Sequence, residues 1–302
     1  MIVLITGATG LIGQEIVRLC HQQNIVVHYL TTSKSKLSQN ENYKGFYWNP
    51  YNNEIDHDCF EGVSVIINLV GATIAKRWTS AYKKEILQSR TRTAQLLLDT
   101  ITEHQYPVKH IVSASAIGVY PSSLTHYYDE DYDQVSDSFL GVVVEGWENA
   151  IDKFKAAHIA VSKIRIGLVL SENGGVLPKI MQPVDYYVGA AFGSGEQWQS
   201  WIHLNDLARL FLFVLEHELE GTFNAVAPNP VTNEELTKTV ATILDKPLWL
   251  PNIPEPAMAL VLGEMHILLF ESQRVSADKI QSEGFDFKFP NLKPALQALI
   301  NE

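Results

Sequence analysis

"ITGATGLIG", residues 5–13, sets Gly7, Gly10 and Gly13 three residues apart, directly behind the β-branched run Ile2–Thr6. That order predicts a strand, a sharp turn and the start of a helix. Gly7 supplies the turn's backbone angles, Gly10 leaves room for a pyrophosphate against the main chain, and Gly13 lets helix and strand close up. The helix start adds free N–H groups and a favourable dipole for phosphate. The Gly-x-x-Gly-x-x-Gly spacing is one residue wider at its start than the commonest dinucleotide fingerprint. Its position between strand and helix still marks Gly7, Thr9, Gly10, Leu11, Ile12 and Gly13 as the expected cofactor loop.

Outward from this loop, short apolar runs alternate with helical patterns. Strands are expected at 2–6, 25–30, 45–48, 63–70, 109–115 and 160–170, and helices at 11–23, 79–102 and 139–157. This alternation predicts an α/β protein, a doubly wound parallel sheet covered on both faces. After residue 170 the rhythm changes. A short strand at 222–227 precedes Thr232, which stands three residues before Glu235 as a helix cap. The remainder reads as mostly helical. Residues 1–170 with 202–227 are assigned to a nucleotide-binding domain, and 171–201 with 228–302 to a smaller, interwoven C-terminal domain.

Of the 302 residues 46% are hydrophobic, enough for a large core, and the formal net charge is −11. That negative field argues against nucleic acid and anionic membrane surfaces as partners. Two cysteines, Cys20 and Cys59, form no disulfide framework, and no leader or membrane-spanning run is visible. A cytoplasmic protein with a small-molecule substrate is the expectation; oligomeric state is left open. The ten histidines show no metal-ligand spacing, so no metal site is assigned. Neither Gly-x-Ser-x-Gly nor Gly-x-x-x-x-Gly-Lys is present. The acidic, aromatic run "HYYDEDYD" (126–133) reads as a solvated loop rather than a carboxylate metal site.

The second strand should end beside an adenosine ribose, where an acid would accept from the 2′-hydroxyl of NAD. Thr32, Ser33 and Lys34 follow instead, with Lys36 close behind, which favours NADP(H) while leaving NAD(H) open.

Beyond these single features, "TGATGLIG", "INLVGATIAKRWT", "SRTRT", "VSASAIGVY", "RIGLVLSENGGVLPK", "GSGEQWQSWIHLNDL", "FNAVAPNPVTN", "SQRV" and "GFDF" recur in order along nearly the whole chain. Together they resemble the YfcH-like, nucleotide-sugar-epimerase-like branch of the atypical extended short-chain dehydrogenases. The resemblance implies a Rossmann-type NADP(H)-binding domain and a small C-terminal domain. It places Leu69, Val70, Gly71 and Ala72 along the dinucleotide and Asn49 near the adenine, where the family has Asp. It also places Ser115 in the catalytic zone and Ile166 at the strand end passing the nicotinamide. Thr32 falls where the family's arginine is usual, which departs from its pattern.

Such enzymes usually carry Tyr-x-x-x-Lys on a helix beside the nicotinamide. Here Leu140 and Val144 stand in those places, and none of the twelve tyrosines has a lysine four residues on. Reduction or oxidation at carbon needs a proton to move with the hydride. Ser115 as hydrogen-bonding residue and Tyr120 as acid are the candidates, with Glu145, the substrate or water as alternatives. Trp198, Trp201 and His203 follow the glycines at 193 and 195 and are read either as a substrate cleft or as fastenings between domains. Arg77 and Arg274 are candidate anion holders. The sequence thus points to an oxidoreductase or epimerase-like protein acting on a small polar substrate. The alternative is a dinucleotide-binding sensor with little turnover.

Overall fold

The computed structural model describes residues 1–301. In chain order its main elements begin β1 (Ile2–Thr6), α1 (Leu11–Gln22), β2 (Val26–Thr31), β3 (Tyr43–Asn49), β4 (Val63–Asn68), α2 (Ser80–His104), β5 (His110–Ala116), α3 (Phe139–Asp152) and β6 (Ala160–Ile166). They continue β7 (Leu168–Ser171), α4 (Leu177–Asp185), β8 (Trp201–His203), α5 (Leu204–Glu216), β9 (Gly221–Ala225), α6 (Asn233–Ile243), α7 (Glu255–Leu262) and α8 (Leu292–Ile300).

Seven strands pair in parallel in the order β9-β6-β5-β4-β1-β2-β3, with short antiparallel additions at 39–40 and 54–55 beyond or against β3. Their centres, such as Leu4, Ile66, Ile67, Ile111 and Val112, are fully buried. A parallel sheet needs such runs because helices cover both faces. Right-handed crossovers lead away from β1 and β4 in opposite directions, so α1 and α2 cover opposite faces. There α1 packs on α5 and α2 on α3. The order reverses between β1 and β4, which opens a crevice beyond their carboxyl ends.

The expected single strand 160–170 is corrected to two. It breaks at Gly167, where a Cβ would lie 2.3 Å from the Ser200 carbonyl oxygen and 2.8 Å from Val226 Cγ1. That close approach forces the chain out of the main sheet, and β7 pairs instead with β8. The expected helix 139–157 likewise tightens after Asp152 into a 3₁₀ turn that ends at left-handed His158 (φ 57°). Thr232 caps α6 as expected, its hydroxyl accepting from Glu235 N–H at 3.2 Å. The run 126–133 is not wholly solvated: Tyr128 is buried and stacked on Tyr120, and Glu130 accepts the Asn224 N–H.

Apolar side chains form two large clusters. The first fills the sheet and its helices; the second joins Leu170, Trp201, Val231, Leu236 and Leu296 across α4, α6 and α8. The chain crosses between them late: Val275, Ile280, Phe285 and Phe287 return to the first cluster before α8 completes the second. No helix among the described residues is long and apolar enough to cross a membrane.

Candidate functional site

At the crevice, Gly7 is left-handed (φ 74°) and its carbonyl accepts from Gly10 N–H at 3.0 Å. A Cβ on Gly13 would sit 2.3 Å from Gly7 O and 2.6 Å from Ala8 Cα, so only glycine allows this packing. Gly10 is exposed and meets nothing but Gly7 O, at 3.3 Å. No side chain caps α1 at its N-terminus and its first turn holds no acid. A close, uncapped, acid-free helix start suits a pyrophosphate.

A buried polar chain fixes the strand ends around this loop. Thr6 Oγ1 donates to Asn68 Oδ1 at 2.8 Å, and Asn68 Nδ2 donates to Ser113 Oγ at 3.0 Å. Thr6 Oγ1 also accepts from Leu69 N–H and Val70 N–H. Leu69 therefore lies against Gly7, and Val70, Gly71 and Ala72 lead out along the crevice. At the end of β2, Thr32 and Lys34 are exposed and Ser33 half-buried; Lys34 Nζ lies 5.0 Å above the Tyr47 ring. The segment 31–40 carries no carboxylate. Asn49 closes a turn by accepting from Tyr51 N–H.

Beyond β5 and β6 lies a cavity of about 230 Å³. Its floor is Ala116–Gly118 and Ile166–Leu168; one wall is the α3 face of Leu140, Val143, Val144 and Trp147. Opposite stand Trp198–Ser200 with Glu271 and Gln273. These walls are laced together: Trp198 N–H donates to Ser272 Oγ, Ser200 Oγ to Gln273 O, and Gln273 Nε2 to Glu271 Oε2 at 3.2 Å. Burial pushes the Glu271 carboxyl above its ordinary range, against hydrogen bonds from Gln273 and Ser138. Ser138 is the N-cap of α3, so this carboxyl sits at the helix start, two residues before Leu140.

Arg90 reaches the same cavity from α2. Its guanidinium lies 4.9 Å from the Trp147 ring centre, over Gly71, and Nη1 donates to the Ala72 and Ile86 carbonyls. Buried Nε has no partner, and no ion pair among the described residues involves Arg90. Desolvation lowers its pKa to about 10, so it is still a cation at neutral pH.

The expected acid–base residues are placed differently. Ser115 is 2% exposed and donates to Glu148 Oε1 at 2.6 Å. Tyr120 is 1% exposed; its hydroxyl donates to Asn224 Oδ1 and accepts from Arg165 Nη1, both at 2.9 Å. Burial, only partly offset by Arg165, pushes this phenol up to about 12. Neither lines the cavity. Both belong to a cluster in which Arg165 grips Glu148 through Nε (2.9 Å) and Nη2 (3.1 Å), with Lys163 at 3.3 Å. Glu145 points to solvent.

Of the aromatic group, Trp198 lines the cavity, while Trp201 is enclosed in the second cluster with its indole N–H on Asn229 O. His203 caps α5, accepting from Asn205 N–H, and stacks on Phe289. Fastening, the second sequence reading, describes Trp201 and His203. Arg274 is sandwiched between Trp198 (4.4 Å) and Tyr127 (5.1 Å), behind the cavity wall, and Arg77 is exposed beside Gly263. Ile166 is in the cavity floor. Arg90, Trp147, Glu271 and Gln273 were not singled out from sequence. Among the described residues no three His, Cys, Asp or Glu side chains converge as a metal-binding group.

Comparison with known proteins places this geometry. The model described as the NAD dependent epimerase/dehydratase family matches residues 3–138, and a domain of unknown function, DUF1731, matches 253–299. An epimerase family protein of Staphylococcus aureus strain MRSA252 is 37% identical over 302 residues, covering 99% of each chain. The solved human epimerase family protein SDR39U1 (isoform 2) with NADPH superposes with a TM-score of 0.84 at 28% identity, over 100% of both chains. The nucleoside-diphosphate sugar epimerase of Corynebacterium glutamicum gives 0.78 at 25%, over 99% of this chain and 58% of that one.

Proposed function

The chain belongs to the epimerase family that these relatives define, and from that membership we propose that it is an NADP(H)-binding oxidoreductase or epimerase-like protein with an unconventional proton donor. The observation that carries this reading is the cavity of about 230 Å³ beyond the carboxyl ends of β5 and β6, walled by Leu140 and Val144. Ligands of open α/β sheets bind at such a position.

When bound, the cofactor supplies a hydride donor or acceptor. The residues of this chain do the rest. Gly7–Gly13 and the open start of α1 receive the pyrophosphate, and Leu69–Ala72 run alongside the dinucleotide. Thr32, Ser33 and Lys34 receive a 2′-phosphate, as the NADPH in the human relative's structure also suggests. Ile166 borders the nicotinamide end. The apolar face of α3 excludes water, which strengthens every polar interaction within the cavity.

Calorimetry with NADPH and NADH tests the cofactor half: NADPH should bind at least tenfold more tightly, and equal affinity would sink the preference. Conversion of UDP-galactose to UDP-glucose should be undetectable, since Leu140 and Val144 exchange no proton. A dinucleotide-binding sensor with little turnover is the second reading, favoured by the enclosure of Ser115 and Tyr120. Hydride exchange between NADPH and any substrate separates the two.

A further inference from the structure

We propose that the cavity receives an organic monoanion with an apolar body, its acid group on Arg90 and its hydrocarbon part extending toward α4 and α6. The inference deepens the reading above by naming the substrate class, and it rests on that reading only for the cofactor's place.

Three observations carry it. The first is charge. Among the described residues, Arg90 is the one cation lining this cavity. It is held by the Trp147 ring and two carbonyl oxygens, with Nε unpartnered and no paired carboxylate among the described residues. A guanidinium taken out of water without an acid is costly, and a bound carboxylate removes that cost in a planar, forked geometry. Among the described residues, Glu271 is the other ionisable group at the cavity. It makes no ion pair with Arg90, being held by Gln273 and Ser138 at the start of α3.

The second observation is the length of the apolar space. A further cavity of about 180 Å³ adjoins the first and shares Leu168, Gln199 and Leu268 with it. It runs between α4 and α6 over Ile180, Val184 and Leu236, with Lys179 its only charged lining residue among those described. Joined through the shared residues, the two reach the size range of small-molecule sites, roughly 300–1,000 Å³.

The third is what the walls lack. A nucleoside diphosphate needs cations for two phosphates and polar partners for a ribose and a base. Here one half-buried cation faces two chambers lined mainly by apolar side chains, with a few neutral polar groups such as Gln199 and Ser200. Lys179 is exposed, so it is a weaker seat for an anion than Arg90, where desolvation strengthens the attraction.

The test is calorimetry of the full chain with NADPH bound, titrated with hexanoate, octanoate, octanol and UDP-glucose. Octanoate should bind at least tenfold more tightly than octanol. Affinity should rise from hexanoate to octanoate by up to about fourfold per methylene, the burial of one CH₂. UDP-glucose should not compete. Arg90→Gln should abolish the preference of octanoate over octanol, and Leu268→Trp, at the junction, should weaken octanoate more than hexanoate. Equal binding of octanol, no gain with chain length, or displacement by UDP-glucose would each overturn the proposal. So would loss of NADPH binding in a folded Arg90→Gln protein, because the cation would then serve the cofactor. Octanoate titrations repeated without NADPH separate the two readings: a chain that binds octanoate but not NADPH refutes the proposed function and keeps this one.

Discussion

Gly10 and Gly13 stand three residues apart and answer to different constraints. A side chain at 13 collides with the Gly7 carbonyl and the Ala8 backbone, whereas one at 10 meets only the Gly7 carbonyl oxygen, at 3.3 Å. Gly13→Ala should therefore cost about 1–3 kcal/mol in urea denaturation, as overpacking does, with NADPH binding lost. Gly10→Val should keep stability within about 1 kcal/mol while losing NADPH, because its side chain occupies the phosphate's approach. Equal destabilisation by both would make the loop merely structural. Glu148 is the second informative residue. Burial alone would raise its carboxyl, but Arg165, Ser115 and Lys163 more than offset this and hold it below 4.5. A depressed folded value gives stability that is full above the unfolded value and is lost as pH falls through the folded one. Glu148→Gln should cost roughly 3–5 kcal/mol at neutral pH, since it strands Arg165. The gap from the parent protein should narrow as the pH falls below the ordinary carboxylate range, where the parent's depressed carboxylate finally protonates. A pH-independent gap in denaturation midpoints would show that the pair contributes only shape.

At the scale of elements, α3 decides the character of the site. Its face of Leu140, Val143, Val144 and Trp147 packs around one end of the cavity, and Arg90 lies across it from α2. Val144→Lys, which restores the residue usual at this point of related helices, should therefore not restore function. It adds a second cation beside Arg90 on an apolar face, where the lining carboxyl, Glu271, is already held by Gln273 and Ser138, so the variant should lose several kcal/mol at pH 7. That penalty should shrink as the pH rises toward about 10.4, where the unfolded lysine also discharges. A thermal midpoint unchanged at pH 7 would refute it. The same elements show how much was legible in the sequence. The strands and the glycine turn were readable because β-branched runs and spaced glycines are local signals. The break at Gly167 was not: "AVSKIRIGLVL" is apolar throughout, and what bends it is Ser200, far along the chain. Arg90 was hidden in "SRTRT", where alternating arginines look like a solvated helix face. Glu271 in "FESQRV" gave no sign that Ser138 would meet it. Tyr120 was near the site in sequence but turned inward, because Arg165 and Asn224 satisfy its hydroxyl.

For the molecule as a whole, the late crossing of residues 275–287 back to the first cluster ties the two cores together. Calorimetric unfolding should accordingly show one cooperative transition with coincident fluorescence and far-ultraviolet changes. A chain ending at residue 252 should lose that cooperativity, since it lacks Val275, Ile280, Phe285 and Phe287 from the first core and α8 from the second. Two separated transitions in the full chain would contradict this coupling. The wall of the cavity has a consequence of another kind, which lies in time. Gly7–Gly13 are made before Glu271 and Gln273, which lie far along the same chain. At roughly 5–20 residues per second, the delay between them is on the order of tens of seconds. Throughout that interval the nascent chain holds the glycine loop with no finished chamber beside it. Completion of the cavity thus waits on residues made late: the chain acquires the loop proposed to hold a nucleotide well before it acquires the chamber proposed to choose among substrates.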